Sequence, residues 1–229
     1  KRIVLLTRER GKISAFAKGA RRPNSQFLAA ANPFVFGTFA LYEGRSSYNL
    51  NQVSISHHFV ELAGEQPGIY YGYYFLELAD YFGQEGIDEK ESMNLLYVTV
   101  KALLNSNIDD RLVRCIFELR MMAAQGLCPS LFHCVCCERQ LVEGEELFFS
   151  QQNHGILDKA CLGHVNDAKR ISAPALYAMQ YIVTASLGKL YTFTVTEEVL
   201  HELERHIHTY IAANTEKRFK SLEILEIMS

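Results

Sequence analysis

Gly11-Lys-Ile-Ser-Ala-Phe-Ala-Lys-Gly-Ala-Arg-Arg-Pro-Asn-Ser25 is the stretch that decides how the chain folds around it. In its first half, small or apolar residues alternate with Lys12, Phe16 and Lys18, and this period of two predicts a β-strand with one buried face. The outward face of that strand carries cations and an aromatic ring. Gly19 and the Pro-Asn-Ser ending predict turns, so the strand is expected to run into a basic loop.

The positive charge of the chain is concentrated around this stretch. Residues 1–22 contain eight Lys or Arg and one acid, a net charge of +7, whereas the whole chain of 229 residues has a formal net charge of −3. Residues 23–229 therefore sum to −10. Charge separated in this way is typical of a protein that binds a polyanion. The alternative is a solvated strand face without a partner.

The β pattern continues on both sides of the opening stretch. Residues 2–7, 34–42 and 48–55 predict further strands, separated by turns that contain Gly11 and Gly44. Short strands at this spacing favour a small antiparallel β-barrel. We expect this first domain to cover residues 1–56.

From residue 57 the apolar period changes from two to about 3.6, which predicts helices. The predicted helices cover residues 69–82, a segment that starts at 88, 109–126, 173–187, 196–211 and 219–228. The chain is therefore predicted to be an α+β protein whose helical domain covers residues 57–229, with an irregular insert at 132–168. The many tyrosines of residues 70–81 suggest a stacking platform, but their helical spacing is more typical of a core.

Composition and motifs disfavour several classes of protein. No stretch approaches the roughly 20 apolar residues of a membrane span, and the start of the chain shows no leader with a cleavage site. P-loop, nucleophile-elbow, HExxH and paired-carboxylate motifs are absent. We therefore expect a protein that neither enters a membrane nor acts as an enzyme.

Four of the six cysteines lie within 28 residues, which favours metal binding in a reducing compartment, the cytoplasm, over disulfides. Cys134-Val-Cys-Cys137 contains a C-x-x-C pair, a spacing that points two sulfurs at one ion, and Cys161 follows after 23 intervening residues. Turns predicted at 143–145 and 153–155 and a strand at 147–149 complete the pattern of a small zinc ribbon. The zinc would be structural.

Tetrahedral closure needs a fourth ligand, and the spacing leaves two residues open. Asp158 precedes Cys161 by three residues and repeats the knuckle spacing with a carboxylate. His164 follows Cys161 by three residues and offers an imidazole. We favour His164 because imidazole is the softer and more usual zinc donor. The alternative to both is a site that binds no metal.

Four motifs resemble those of the bacterial recombination mediator family RecO. Residues 6–27, which include the opening stretch, are similar to the N-terminal signature of that family, and Asn32-Pro-Phe34 stands where its next strand begins. Tyr73-Tyr-Phe-Leu-Glu-Leu78 resembles the first main helix of the family. Gly126-Leu-Cys-Pro-Ser-Leu-Phe-His-Cys-Val-Cys-Cys137 resembles its entry to the zinc knuckle. The resemblance covers most of the chain.

This resemblance implies an OB-fold followed by a helical domain with a zinc ribbon. It also implies a mediator that binds single- and double-stranded DNA, anneals strands and works with RecR at the bacterial nucleoid. The complex would help RecA replace single-strand-binding protein (SSB), whose acidic C-terminal tail docks on the helical domain. The chain departs from the family in two ways. The first cysteine of the second knuckle falls on Asp158, and the first strand of the OB-fold is expected to be missing.

The residues themselves are compatible with DNA binding, because OB-folds combine a cationic groove with aromatic rings that stack on bases. We expect seven residues to contact DNA: Arg8, Arg10, Lys12, Phe16, Lys18, Arg21 and Arg22. A second hypothesis is a protein-interaction adaptor whose basic segment binds the acidic tail of SSB and has little affinity for DNA.

Overall fold

The computed structural model describes residues 1–45, 47–163 and 165–228. The N-terminal alternation forms four strands: β1 (Arg2–Thr7), β2 (Gly11–Phe16), β3 (Val35–Glu43) and β4 (Tyr48–His58). They make one sheet in the order β1-β2-β4-β3. β1 and β2 form one antiparallel hairpin and β3 and β4 form another, while β2 and β4 run parallel.

The parallel contact is the one departure from the predicted antiparallel pairing among the described strands of this sheet. It consists of the pairs Ala15–Tyr48 and Phe16–Asn49. Parallel neighbours need a connection of a dozen or more residues, and β2 and β4 are separated by the segment that contains β3. An order of β1-β2-β4-β3 with one parallel pair is OB-like.

The predicted alternation in the opening stretch is confirmed by burial. Ile13, Ala15 and Ala17 are buried, whereas the side chain of Phe16 is 46% exposed. Ala15 and Ala17 belong to the core of the sheet. The other buried members of this core are Ile3, Ala20, Phe27 and Leu50.

The remaining elements follow in chain order. They are α1 (Gly68–Phe82), α2 (Lys90–Ala102), α3 (Asp110–Ala124), β5 (Ser130–Cys134), β6 (Leu147–Ser150), β7 (Gly155–Asp158), β8 (Lys169–Ile171), α4 (Ala173–Thr184), α5 (Glu197–Ala213) and α6 (Lys220–Met228). Strands β5 to β8 form a second sheet in the order β5-β7-β6-β8, which is the insert between α3 and α4. Among the described residues, no helix is both long and apolar enough to cross a bilayer.

Side-chain caps explain where several helices begin. The carboxylate of Asp109 accepts a hydrogen bond from the backbone N–H of Arg111 at the start of α3, and the hydroxyl of Thr196 accepts one from Val199 at the start of α5. The helix predicted from residue 88 begins two residues later, at Lys90, whose backbone N–H donates a hydrogen bond to the Asp88 carboxylate.

Contacts divide the chain into two compact units, residues 1–105 with 219–229, and residues 106–218. The two units are defined by contacts and not by where strands give way to helices. The predicted domains, 1–56 and 57–229 with the insert at 132–168, therefore stay predictions. Within the first unit, α6 packs on α1: the backbone N–H and hydroxyl of Ser221 both donate to the carboxylate of Glu77, at 2.9 and 2.5 Å. The C-terminal helix therefore belongs to the same unit as the N-terminal sheet.

The aromatic residues of α1 form part of the core of this unit. Tyr71, Tyr74 and Phe75 are buried, and Phe219 packs edge-on against Tyr74 at 5.8 Å between ring centroids. The prediction that this helical tyrosine run is core is therefore confirmed for Tyr71 and Tyr74, whereas Tyr73 is 45% exposed.

The first sheet has two edge strands among the described residues, β1 and β3. Both run in the same direction, because each is antiparallel to one of the two parallel central strands. Between them lies a cavity of about 800 Å³ that is also lined by residues of α1. An extended segment antiparallel to both edges would close the sheet into a five-stranded barrel.

Two glycines of the opening stretch allow a direct test of this packing. Gly11 and Gly19 both have positive φ, +64° and +79°, but only Gly11 is crowded: an added Cβ would lie 2.0 Å from the backbone oxygen of Gln84. At Gly19 the nearest atom would be 4.0 Å away, in the flexible Arg22 side chain. We expect Gly19→Ala to lower the free energy of unfolding by about 1 kcal/mol through backbone strain alone. We expect Gly11→Ala to lower it by roughly 3 kcal/mol or more, because the backbone of residues 84–87 must move.

Urea denaturation of Gly11→Ala and Gly19→Ala measures the loss in the free energy of unfolding for each variant. Equal losses would show that Gly11 is needed only for its backbone conformation.

Candidate metal centre and nucleic-acid interface

Three cysteines and one aspartate converge in the insert. Cys134 ends β5, Cys137 lies in the turn that follows, Asp158 ends β7, and Cys161 closes a single turn of 3-10 helix. Each offers one ligand atom, and these atoms all lie within 4.8 Å of one another. For comparison, neighbouring sulfurs around a tetrahedral zinc ion lie roughly 3.8 Å apart, since each Zn–S bond is about 2.3 Å. The cluster could therefore hold a metal ion after a small contraction.

The carboxylate of Asp158 is fixed in this position by hydrogen bonds. Its Oδ1 accepts the backbone N–H of Cys161 at 2.9 Å. Its Oδ2 accepts the thiol of Cys137 at 3.4 Å and the guanidinium of Arg139 at 3.2 Å. Arg139 also donates to both carboxylate oxygens of Glu145, at 3.0 and 2.7 Å. These hydrogen bonds therefore orient the side chain of Asp158 towards the cysteines.

The electrostatics of the cluster favour a cation. Burial by itself would raise the pKa of Asp158, but hydrogen bonds from Cys161, Cys137 and Arg139 outweigh it and lower the pKa to about 2. Burial raises the pKa of the Cys161 thiol, and its contacts with the other cysteines and with Asp158 raise it further. The Asp158 carboxylate is thus ionised, while the Cys161 thiol keeps its proton. A bound cation would replace thiol protons and interact favourably with the negative charge of the carboxylate.

The structure brings together Cys134, Cys137, Cys161 and Asp158 from the predicted metal ligands. His164, the imidazole that the sequence favoured, lies outside the described residues. Asp158 is the oxygen donor next to the three sulfurs among the residues that are described. Sequence spacing gave no sign of Arg139, because its role depends on the fold that brings it to Asp158.

The cations predicted to contact DNA differ in whether they form ion pairs with other residues of the protein. Lys12 is held by α1, where its ammonium group contacts the backbone oxygen of Asp80 at 2.5 Å and its carboxylate at 3.5 Å. Arg8 pairs with Glu9 at 2.7 Å, and the guanidinium of Arg10 lies 4.0 Å from the carboxylate of Glu43. These three cations are partly neutralised by neighbouring groups.

Lys18, Arg21 and Arg22 are exposed and make no ion pair with any residue in the described parts of the chain. The loop that carries them is a series of backbone turns, with the N–H of Arg22 bonded to the oxygen of Gly19 at 2.9 Å. Ala20 lies between them and is buried in the core of the sheet. The loop is therefore attached to the sheet through Ala20 and presents its three cations to solvent.

A sheet of OB-like order with a cationic loop, together with helices and a Cys-rich insert, is an arrangement suited to a nucleic-acid-binding protein. Two family models match the chain: "Recombination protein O N terminal" over residues 1–59 and "Recombination protein O C terminal" over residues 68–223. The chain belongs to the RecO family. The DNA repair and recombination role predicted from the sequence is thereby supported.

Individual relatives agree with the family models. The chain is similar to the DNA repair protein RecO of Symbiobacterium thermophilum, with 32% identity over 227 residues, 99% of this chain and 90% of the relative. It is similar to the DNA repair protein RecO of Alkaliphilus metalliredigens, with 30% identity over 223 residues, 97% of this chain and 90% of the relative. The corresponding protein of Acetivibrio thermocellus is 27% identical over 230 residues, 99% of this chain and 89% of the relative.

Metal binding by the cluster can be tested with Co²⁺, whose thiolate complexes absorb strongly in the near ultraviolet. We expect the protein to give this absorbance and Cys137→Ser to lose it, because Cys137 is one of the clustered donors. Cys136→Ser is the matched control, since Cys136 is the adjacent, exposed cysteine outside the four-residue set. Equal absorbance in the two variants would contradict the assignment of ligands.

Proposed function

We propose that this protein is a recombination mediator that binds single- and double-stranded DNA through the loop after β2 and promotes strand annealing. The observation that carries the proposal is the exposed set of Lys18, Arg21 and Arg22 on an OB-like sheet, without ion pairs among the described residues. Membership of the RecO family supports it.

The charge of this loop accounts for binding without base specificity. Cations that contact phosphates release counterions, and this contribution to affinity does not depend on sequence. Phosphate contacts also leave the base edges free for pairing, so two strands held in this way are able to anneal. Residues 23–229 sum to a net charge of −10, so the excess of positive charge that phosphates would meet lies within the first 22 residues.

The partners follow from the family resemblance. We propose that the protein acts with RecR in the bacterial cytoplasm, at the nucleoid, and docks on the acidic C-terminal tail of SSB. The complex then helps RecA to load onto strands that SSB covers. The test is whether RecA filaments form on SSB-covered single strands only when this protein and RecR are both present, and whether truncating the SSB tail prevents it.

We further propose that the metal of the insert is zinc and that its role is structural. Cys134, Cys137 and Cys161 supply sulfur donors, and Asp158 supplies a carboxylate oxygen in place of a fourth sulfur. Zinc accepts such mixed sets, although sulfur is the softer and stronger donor. Zinc would join β5 and its turn to the end of β7, and so hold the insert together.

Substitution of the loop cations tests the DNA-binding part of the proposal. We expect Lys18→Ala, Arg21→Ala and Arg22→Ala each to weaken binding to single-stranded DNA. Each should also reduce the slope of log affinity against log salt by roughly 0.7 to 1, the value for one lost phosphate contact. Fluorescence anisotropy over a salt series measures both effects.

Lys189→Ala is the control, because Lys189 is an exposed lysine in the other compact unit. DNA affinity that does not respond to salt in the unsubstituted protein would exclude the proposal. If the protein captures SSB through its tail and shows no DNA affinity, the adaptor hypothesis replaces it.

The carboxylate ligand gives a test of the zinc site. We expect Asp158→Cys to bind zinc at least about tenfold more tightly, because a fourth thiolate is a stronger donor than a carboxylate. Competition with a chelator measures the affinity. Glu143→Cys is the control, since it adds a thiol to the same insert at an exposed position outside the cluster. Equal tightening in both variants would show that Asp158 is not a ligand.

A further inference from the structure

The register of the first sheet places four side chains in one row across all four strands. Arg2 of β1 pairs with Phe16 of β2, Phe16 pairs with Asn49 of β4, and Asn49 pairs with Tyr42 of β3. Adjacent strands lie about 4.8 Å apart, so the rings of Phe16 and Tyr42 originate roughly 10 Å from each other. Residues paired across strands point to the same face of a sheet.

Burial shows that this row lies on the outer face. Arg2 is exposed, Phe16 is 46% exposed and Tyr42 is 68% exposed, while Asn49 is half-buried between them. The neighbouring row along the strands behaves in the opposite way, since Ala15 and Ile3 are buried in the core. Neither Phe16 nor Tyr42 has an aromatic partner among the described residues. Two large rings are therefore left open to solvent on one row.

The chemistry of the row is suited to unpaired nucleobases. Exposed aromatic rings stack on the faces of bases, a guanidinium also stacks on them, and an amide can bond to base edges. Bases of a duplex are stacked on each other, so their faces are accessible only in a single strand. The exposed Lys18 follows Phe16 by two residues in the chain, so phosphate contacts are available next to the row.

We propose that Arg2, Phe16, Asn49 and Tyr42 form a stacking site for the bases of single-stranded DNA. This inference rests on the proposed function and deepens it, because it assigns strand selectivity to the row and phosphate attraction to the loop. Tyr42 and Asn49 come from the second hairpin, which the charge pattern of residues 1–22 does not include.

The absence of tryptophan from the chain allows a direct test, because the fluorescence of any introduced tryptophan can be read alone. The variant Tyr42→Trp would report stacking as quenching of its fluorescence when oligo(dT) binds. Tyr177→Trp is the matched control, because Tyr177 is 69% exposed and Tyr42 is 68% exposed. Tyr177 lies on α4, which belongs to the other compact unit. A second probe is an oligonucleotide of the same length with abasic sites, which keeps the phosphates and removes the bases.

We expect oligo(dT) to quench the tryptophan fluorescence of Tyr42→Trp and to leave that of Tyr177→Trp unchanged, and the abasic oligonucleotide to quench neither. We expect Tyr42→Ala and Phe16→Leu to weaken oligo(dT) binding by roughly 5- to 100-fold, with an unchanged salt slope and unchanged affinity for the abasic oligonucleotide. Circular dichroism of each variant confirms that the sheet is retained.

Binding of oligo(dT) to Tyr42→Trp, seen by anisotropy but without quenching, would overturn the stacking site and leave the proposed function standing. The same conclusion follows if Tyr42→Ala weakens the abasic and base-containing oligonucleotides equally. If the unsubstituted protein binds neither oligonucleotide, the proposed function and this inference both fail.

Discussion

The parallel pairing of β2 with β4 is the contact on which the N-terminal half depends. It involves two residue pairs, Ala15 with Tyr48 and Phe16 with Asn49, and it joins two hairpins that would otherwise be separate. An isolated hairpin is at best marginally stable in water, whereas a four-stranded sheet with one apolar face can hold its shape. Ala15 and Leu50, one from each hairpin, meet in the core behind this pairing. The same pairing sets which residues share the outer face.

The opening stretch thus has two faces with separate roles. Its inward residues, Ile13, Ala15 and Ala17, are apolar and almost completely buried. Its outward residues and the loop that follows carry a ring and three exposed cations. Because side chains in a strand alternate, one short segment can anchor the sheet and present a binding surface. A slip of one residue in the register would exchange the two faces.

The cysteine-rich insert shows how a departure from a motif can be accommodated by the surrounding residues. Asp158 stands where a cysteine would complete two knuckles, and its carboxylate still points at the three sulfurs. Arg139 and the N–H of Cys161 keep it ionised and oriented. A carboxylate adds a charge that a neutral imidazole would not, and the Arg139 guanidinium next to it offsets that charge.

Local patterns in the amino-acid sequence predict the helices, the strands of the first sheet and the cysteine cluster, but only one of the four strands of the second sheet. The periods of two and 3.6 predict the strands and helices, Asp109 and Thr196 predict helix starts that their caps confirm, and the spacing of the cysteines predicts their convergence. These features depend on residues close together in the chain. The choice between Asp158 and His164 is not local, since each lies three residues from Cys161 and both spacings are acceptable for a zinc ligand.

Contacts between distant segments, by contrast, are visible only in the folded chain. The fold places β4 next to β2, α6 on α1 through Ser221 and Glu77, and Lys12 against Asp80. Lys18, Arg21 and Arg22 are the cations of the set that have no ion pair among the described residues. The fold also brings Tyr42 into the row of Phe16. The free energy of such contacts comes from burying apolar surface and satisfying polar groups between segments far apart in sequence. No local pattern records which distant segment will meet which, so the tertiary structure alone determines these features.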